Sequence, residues 1–170
     1  CVDIAEDNVK QTAADIEAAG GSAMALVCDV TDEAAVKAAI EETVAGFGSL
    51  TTVFNAAAFG DPLLPVGELD VDLWRKTLDV NVTGMFLTCK HTLPLFLDQG
   101  GGAIVNVSSL SGTKAIRPEV AYAASKGAVN SLTVNIAMEF ADRAIRCNAI
   151  VPGLIETPLV ARALADAYGP

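Results

Sequence analysis

The stretch from Ile104 to Lys126, IVNVSSLSGTKAIRPEVAYAASK, decides how the rest of the chain is read. Ile104-Val105-Asn106-Val107 is a mostly apolar, β-branched run, which predicts a buried strand. It stops in Ser108 and Ser109, crosses a loop holding Gly112 and Pro118, and opens a helix near Tyr122. Tyr122 and Lys126 stand four positions apart, so a helix stacks them on one face. A phenol beside a fixed ammonium, with a serine at the end of the preceding strand, is a candidate proton-transfer site. The same residues also suit an ordinary helix pair and a serine-capped turn, so the surroundings must decide.

Composition narrows them. The 170 residues are 52% hydrophobic and 19% charged, which excludes disorder and predicts one domain over residues 1–170. A net charge of −10 argues against nucleic acid or an anionic membrane surface as a partner. No apolar run reaches the length of a membrane span, and the chain reads as soluble and cytoplasmic. Cys1, Cys28, Cys89 and Cys147 form no CxxC pair, and His91 is the sole histidine, so no metal site is expected. The cysteines read as reduced thiols, largely buried, and His91 as a surface residue.

Read in order, strands and helices alternate. A strand end at Cys1-Val2-Asp3-Ile4 precedes a helix over about 6–19, and Ala23–Val27 is a short strand closing on Cys28-Asp29. Thr31 is the expected N-cap of a helix to about Phe47. Thr52–Asn55 is the next strand, then a short helix over 71–78 and a longer one opened by Asn81 and running to about Leu97. After the central stretch come a helix from Tyr122 to about Ala141, a strand over 145–151 halted by Pro152-Gly153, and an amphipathic piece over 158–167. Short apolar strands without hairpin turns call for βαβ units. The expected fold is α/β: a doubly wound, Rossmann-like parallel sheet in a three-layer α/β/α sandwich, covered on both faces. In such sheets ligands gather at the carboxyl ends of strands. Here those ends carry Asp3, Asp29, Asn55, Ser108/Ser109 and Pro152-Gly153. Asp3 suits a ribose diol or a helix N-terminus, and Asp29 also suits a cap on the following helix.

Taken together, these motifs resemble the short-chain dehydrogenase/reductase family over nearly the whole chain. The resemblance rests on Cys28-Asp29-Val30-Thr31, Asn55-Ala56-Ala57-Ala58, Asn81 within Asp79–Gly84, Ser109, Tyr122-Ala123-Ala124-Ser125-Lys126, and Pro152–Pro158, in family order. It implies a nicotinamide-dependent oxidoreductase moving a hydride between cofactor and an alcohol or carbonyl substrate. Tyr122 would be the general acid/base, and Lys126 would favour the phenolate and hold the nicotinamide ribose. Ser109 would orient the substrate oxygen, and Asn81 would position a water leading to Lys126. Asp3 would bind the adenosine ribose and favour NAD over NADP without barring the latter. Asp29 and Val30 would line the adenine, Asn55 and Ala56 would start the segment at the ribose, and Pro152, Gly153, Ile155 and Thr157 would hold the nicotinamide end.

The resemblance also has gaps. The family's glycine-rich pyrophosphate turn is absent; it belongs to a strand and helix expected before Cys1, and a lid is expected after Pro170. The 170 residues are therefore expected to be part of a longer protein. Ala56 and Ala58 stand where Asn and Gly are common, and Thr51 where Asp is. Ser108, one position off, should leave the strand on the opposite face from Ser109. The substrate wall would come from 58–66, 110–116, Leu154 and the residues after Pro158, and it hints at a partly apolar substrate. Helices over 81–97 and 122–141 would pair between subunits of a homodimer or homotetramer. The competing readings are an epimerase or dehydratase of the related extended group, and a non-catalytic binding or scaffold protein, which includes a truncated inactive relative.

Overall fold

A computed structural model of the chain describes residues 1–60, 63–116, 118–157 and 161. Among these residues five strands and five α-helices follow one another: β1 (Val2–Asp3), α1 (Glu6–Ala18), β2 (Leu26–Val27), α2 (Glu33–Phe47), β3 (Thr52–Asn55), α3 (Val71–Leu78), α4 (Gly84–Asp98), β4 (Gly102–Val107), α5 (Val120–Glu139) and β5 (Ile145–Ile150). Every strand pairing is parallel, as crossover helices between strands demand.

The strands form two groups, β1-β2 and β3-β4-β5. Between them opens a largely apolar cleft of about 660 Å³, lined by Cys1–Ile4 on one side and Thr52–Ala58 on the other. Among the described residues, no strand bridges β1 and β3.

Burial in the larger sheet follows the two-residue period of a strand. Ile104, Asn106, Ile145 and Cys147 are buried, and Met85, Cys89 and Phe96 of α4 join Val129 and Ile136 of α5 in one core with Ile104, Ile145 and Cys147. Each large aliphatic or aromatic side chain so buried contributes roughly 1.5–3 kcal/mol. A second cluster joins Cys28 to Val36, Ala39 and Ile40 of α2 and Leu87 of α4. Residues of opposite parity behave otherwise: Phe54 is 59% exposed and Ile150 44%. The expected cover on both faces is therefore seen on one face of β3-β4-β5 among the described residues.

Several element boundaries shift for identifiable reasons. Asp32, not Thr31, caps α2: its carboxylate accepts from the N–H groups of Ala34 and Ala35, while Thr31 is tied to Asp29. Asn81 opens no helix. It sits in a π-helical turn, Asp79–Thr83, through which α3 runs on into α4. The strand expected over 23–27 shortens to Leu26–Val27. The amphipathic piece over 158–167 lies outside the described residues except Ala161, whose N–H donates to Thr157 O at 2.8 Å.

Candidate active site

Tyr122 enters on the first turn of α5, and Lys126 lies one turn later. Lys126 is 1% exposed, and its ammonium Nζ donates to the Val107 carbonyl at the end of β4, 2.8 Å away. That bond anchors the cation at the strand's carboxyl edge, 5.4 Å from the centroid of the Tyr122 ring. Removal from water pulls the Lys126 pKa down to about 8. The group thus carries its charge at neutral pH and loses it just above.

The strand-to-helix turn is clamped against this lysine. Ser108 Oγ donates to the Lys126 carbonyl at 3.2 Å. Gly112 packs so closely that an added Cβ would lie 2.6 Å from Lys126 C. Asn130 Nδ2 donates to Gly112 O at 3.1 Å. Ser109 is therefore held next to α5 although it comes from β4. Its Oγ accepts the Ser111 N–H at 3.2 Å and heads a short 3-10 turn, Leu110–Gly112. Ser108 and Ser109 have different surroundings, as strand alternation predicts: Ser108 is buried and Ser109 only partly so.

Asn81 is 0% exposed, and its side chain is fully engaged. Nδ2 donates to Phe59 O at 2.9 Å and to Ser125 Oγ at 3.0 Å, while Oδ1 accepts from Phe59 N at 2.7 Å. Ser125 Oγ in turn donates to Tyr122 O at 2.7 Å. Asn81 thus locks the segment after β3 to the helix bearing Tyr122, and its two amide protons are already spent.

The cofactor candidates divide into two groups. Asp3, Asp29, Val30, Asn55 and Ala56 all line the 660 Å³ cleft. Asp3 Oδ1 accepts from Ala5 N at 2.8 Å, so its role at the start of α1 is present as well. The backbone N–H and hydroxyl of Thr31 hold the Asp29 carboxyl below the usual carboxylate range. Asn55 Nδ2 donates to Asn106 Oδ1 at 2.9 Å, and Asn106 Nδ2 reaches Thr133 Oγ1 at 2.9 Å, tying β3, β4 and α5 together. Pro152, Gly153, Ile155 and Thr157 follow β5, and Pro152 O accepts from Leu110 N at 2.9 Å, which brings that segment to the Ser109 turn. They form a separate group from the cleft-lining residues.

The sequence did not single out Phe59, Ser125 or Glu119. Ser125 was within reach, since it sits inside the quoted motif. His91 proves to be partnered: Nε2 lies 3.0 Å from Glu33 Oε1, which also takes Lys90 at 2.6 Å. No group of metal ligands occurs among the described residues, and no helix there is long and apolar enough to cross a membrane.

The pattern of the short chain dehydrogenase family matches residues 1–167. The chain belongs to the short-chain dehydrogenase family. It is 36% identical over 169 residues to 2,5-dichloro-2,5-cyclohexadiene-1,4-diol dehydrogenase of Sphingobium indicum, covering 99% of this chain and 68% of the relative. It is 40% identical to cis-4-hydroxycyclohexanecarboxylate dehydrogenase of Sinomonas cyclohexanicum, covering 96% of this chain and 66% of the relative. Among solved structures, NAD+-bound xylitol dehydrogenase superposes with a TM-score of 0.91 at 33% identity, covering 94% of this chain and 61% of that one. Levodione reductase superposes at 0.94, also at 33% identity, covering 98% and 66%. The chain spans about two thirds of the length of these relatives. They are dehydrogenases and a reductase by name, so the expected oxidoreductase family and Rossmann-like fold class hold, and the scaffold alternative is not favoured.

Proposed function

We propose that the full-length protein moves a hydride between a nicotinamide cofactor and a secondary alcohol or its ketone. The observation that carries this is the buried Lys126 ammonium, pinned to the Val107 carbonyl on the same helix face as Tyr122. When bound, the cofactor supplies the hydride acceptor or donor. The chain's own part is proton management. A free phenol near pKa 10 is a weak base at neutral pH, and an adjacent cation favours its phenolate. Tyr122 then takes the alcohol proton during oxidation, or returns it to the carbonyl oxygen during reduction. Ser109 offers a hydroxyl to that same oxygen. Asn81 serves by holding Phe59 and Ser125 in place, with any water relay to Lys126 running through the backbone of its π turn.

Asp3 ends β1 and Asp29 follows β2, the carboxyl edge where the adenosine half of such a cofactor would lie. Two carboxylates favour ribose hydroxyls and repel a 2′-phosphate, which supports NAD over NADP. Pro152, Gly153, Ile155 and Thr157 are assigned to its nicotinamide end on the family pattern. Two of the named relatives, the cyclohexadiene-diol and the hydroxycyclohexanecarboxylate dehydrogenases, are named for ring alcohols, which supports an alicyclic secondary alcohol as substrate class. Phe86 on α4 and Val134 and Met138 on α5 are exposed, supporting a homodimer or homotetramer through these helices; a sedimentation velocity run giving only monomer at micromolar concentration would contradict it. The free cysteines suit a cytoplasmic location.

Nicotinamide absorbance at 340 nm tests the central claim, with cyclohexanol heading an alcohol panel. Tyr122→Phe should lower kcat by at least about 10²-fold, with NADH binding retained. Turnover within a few-fold of wild type would sink the assignment of Tyr122.

A further inference from the structure

Glu119 stands beside the proposed site, and the reading above gives it nothing to do. Ser111, buried on the 3-10 turn, places its Oγ 3.4 Å from Ser109 Oγ and donates to Glu119 Oε2 at 2.6 Å. Two hydrogen-bond lengths therefore link Ser109 Oγ to a carboxylate. Glu119 is the residue immediately before α5, and Tyr122 is the third residue of that helix. Side chains at those two positions lie on the same side of a helix start. The carboxylate thus belongs to the ground between the strand-end serine and the tyrosine.

One of its oxygens is unused. A carboxylate accepts at both oxygens and donates at neither. Oε2 has the Ser111 hydroxyl; among the described residues, Oε1 has no donor and no basic side chain pairs with Glu119. In a half-buried residue such an acceptor is costly unless water or a ligand fills it. Charge then selects the ligand. The Lys126 ammonium is already fixed on Val107 O one turn beyond Tyr122, so a cationic substrate would be repelled from the reacting centre. A neutral hydroxyl meets no such repulsion, and Ser111 shows this carboxylate taking one already.

We propose that Glu119 is a specificity-determining residue that accepts a hydrogen bond from a second hydroxyl of the substrate, so that the enzyme selects diols over mono-alcohols. The proposal rests on the hydride-transfer reading above: the reacting oxygen lies at Ser109 and Tyr122, and the second hydroxyl, a few bonds further on, at Glu119 Oε1. The plain alternative is that Glu119 and Ser111 only staple the 110–119 loop.

Nicotinamide absorbance at 340 nm with the full-length enzyme compares cyclohexanol with cyclohexane-1,2-diol, cyclohexane-1,3-diol and cyclohexane-1,4-diol. Wild type should prefer at least one diol. Glu119→Ala should cut the ratio of kcat/KM for that diol over cyclohexanol by about 10- to 100-fold, as expected for one hydrogen bond to a charged group. Most of the change should fall in KM, because the second hydroxyl does not react. Glu119→Gln, which keeps an acceptor oxygen, should restore part of the ratio. Ser111→Ala, which cuts the staple and leaves the carboxylate, should change it far less. A ratio that Glu119→Ala leaves unaltered, or that Ser111→Ala lowers equally, overturns the proposal and leaves a loop staple. So does a wild type that prefers cyclohexanol to every diol. A larger Glu119→Ala loss on protonated 2-aminocyclohexanol than on any diol overturns it in favour of an ammonium ligand. No wild-type turnover of any alcohol is a different failure, since it overturns the hydride-transfer reading and takes this proposal with it.

Discussion

Replacing Lys126 with methionine separates what burial costs the fold from what the ammonium gives the site. Lys126 is 1% exposed, and desolvation takes its pKa from 10.5 to about 8. The folded value lies below the unfolded one. Between those two pH values the unfolded chain holds a proton that the native chain has already released. Stability from this position therefore rises with pH through the window; the penalty is present in full below about 8 and gone above 10.5. Its size is about 3 kcal/mol. Methionine keeps the bulk of the stem and removes the charge. It also deprives the Val107 carbonyl of its 2.8 Å donor, a loss of about 1–3 kcal/mol. At neutral pH the two effects nearly offset, and Lys126→Met should be as stable as wild type or somewhat more so, while turnover is lost. The carbonyl's loss does not depend on pH, so it cancels when the wild-type-minus-variant difference is followed across pH. Urea titrations at about pH 7, 8, 9 and 10 should show wild type gaining roughly 2–3 kcal/mol on the variant, most of it above pH 8. A difference that stays flat would refute the reasoning, because it would mean that the native ammonium is as well hydrated as the unfolded one.

Three further outcomes follow from the geometry. Asp3→Ala should shift the preference toward NADP in kcat/KM for the two cofactors; an unchanged ratio would remove Asp3 from the ribose site. Gly112→Ala puts a Cβ 2.6 Å from Lys126 C and 2.7 Å from its carbonyl oxygen. These backbone atoms cannot swing aside, so the urea midpoint should fall by the equivalent of about 1–3 kcal/mol and kcat with it; wild-type values for both would show that the turn has slack. A thiol-exchange reagent should find one fast cysteine, the exposed Cys1, since Cys28, Cys89 and Cys147 are buried and burial raises Cys89 to about 12 and Cys147 to about 11. Two or more fast thiols in the native protein would mean that the core around them opens.

The strand ends and the Tyr122–Lys126 pair were legible because both rest on periodicity and local spacing. The parallel order followed from strands joined by helices rather than by turns. What stayed hidden depends on partners distant in sequence. Asn81 reads like a helix cap in isolation. Its actual partners, Phe59 and Ser125, come from 22 and 44 positions away. Asp32 took the cap from Thr31, whose hydroxyl is tied to Asp29, a competition among three polar residues within four positions that composition does not resolve. The 3.0 Å contact of His91 Nε2 with Glu33 Oε1 joins two helices and leaves no trace in local pattern.

The wide turn at Asp79–Thr83 makes chain length itself a determinant of the site. Gly84 N–H reaches back to Asp79 O, one residue further than an α-helix reaches, so the turn absorbs one residue without rotating α4 relative to α3. Deleting a single residue there would leave both helices presenting their present faces and give one straighter, more regular rod. That rod would have no place for an asparagine amide to clasp Phe59 and Ser125 together. A protein one residue shorter in this segment would keep the architecture, fold at least as readily, and lack the fastening between the segment after β3 and the helix that carries Tyr122.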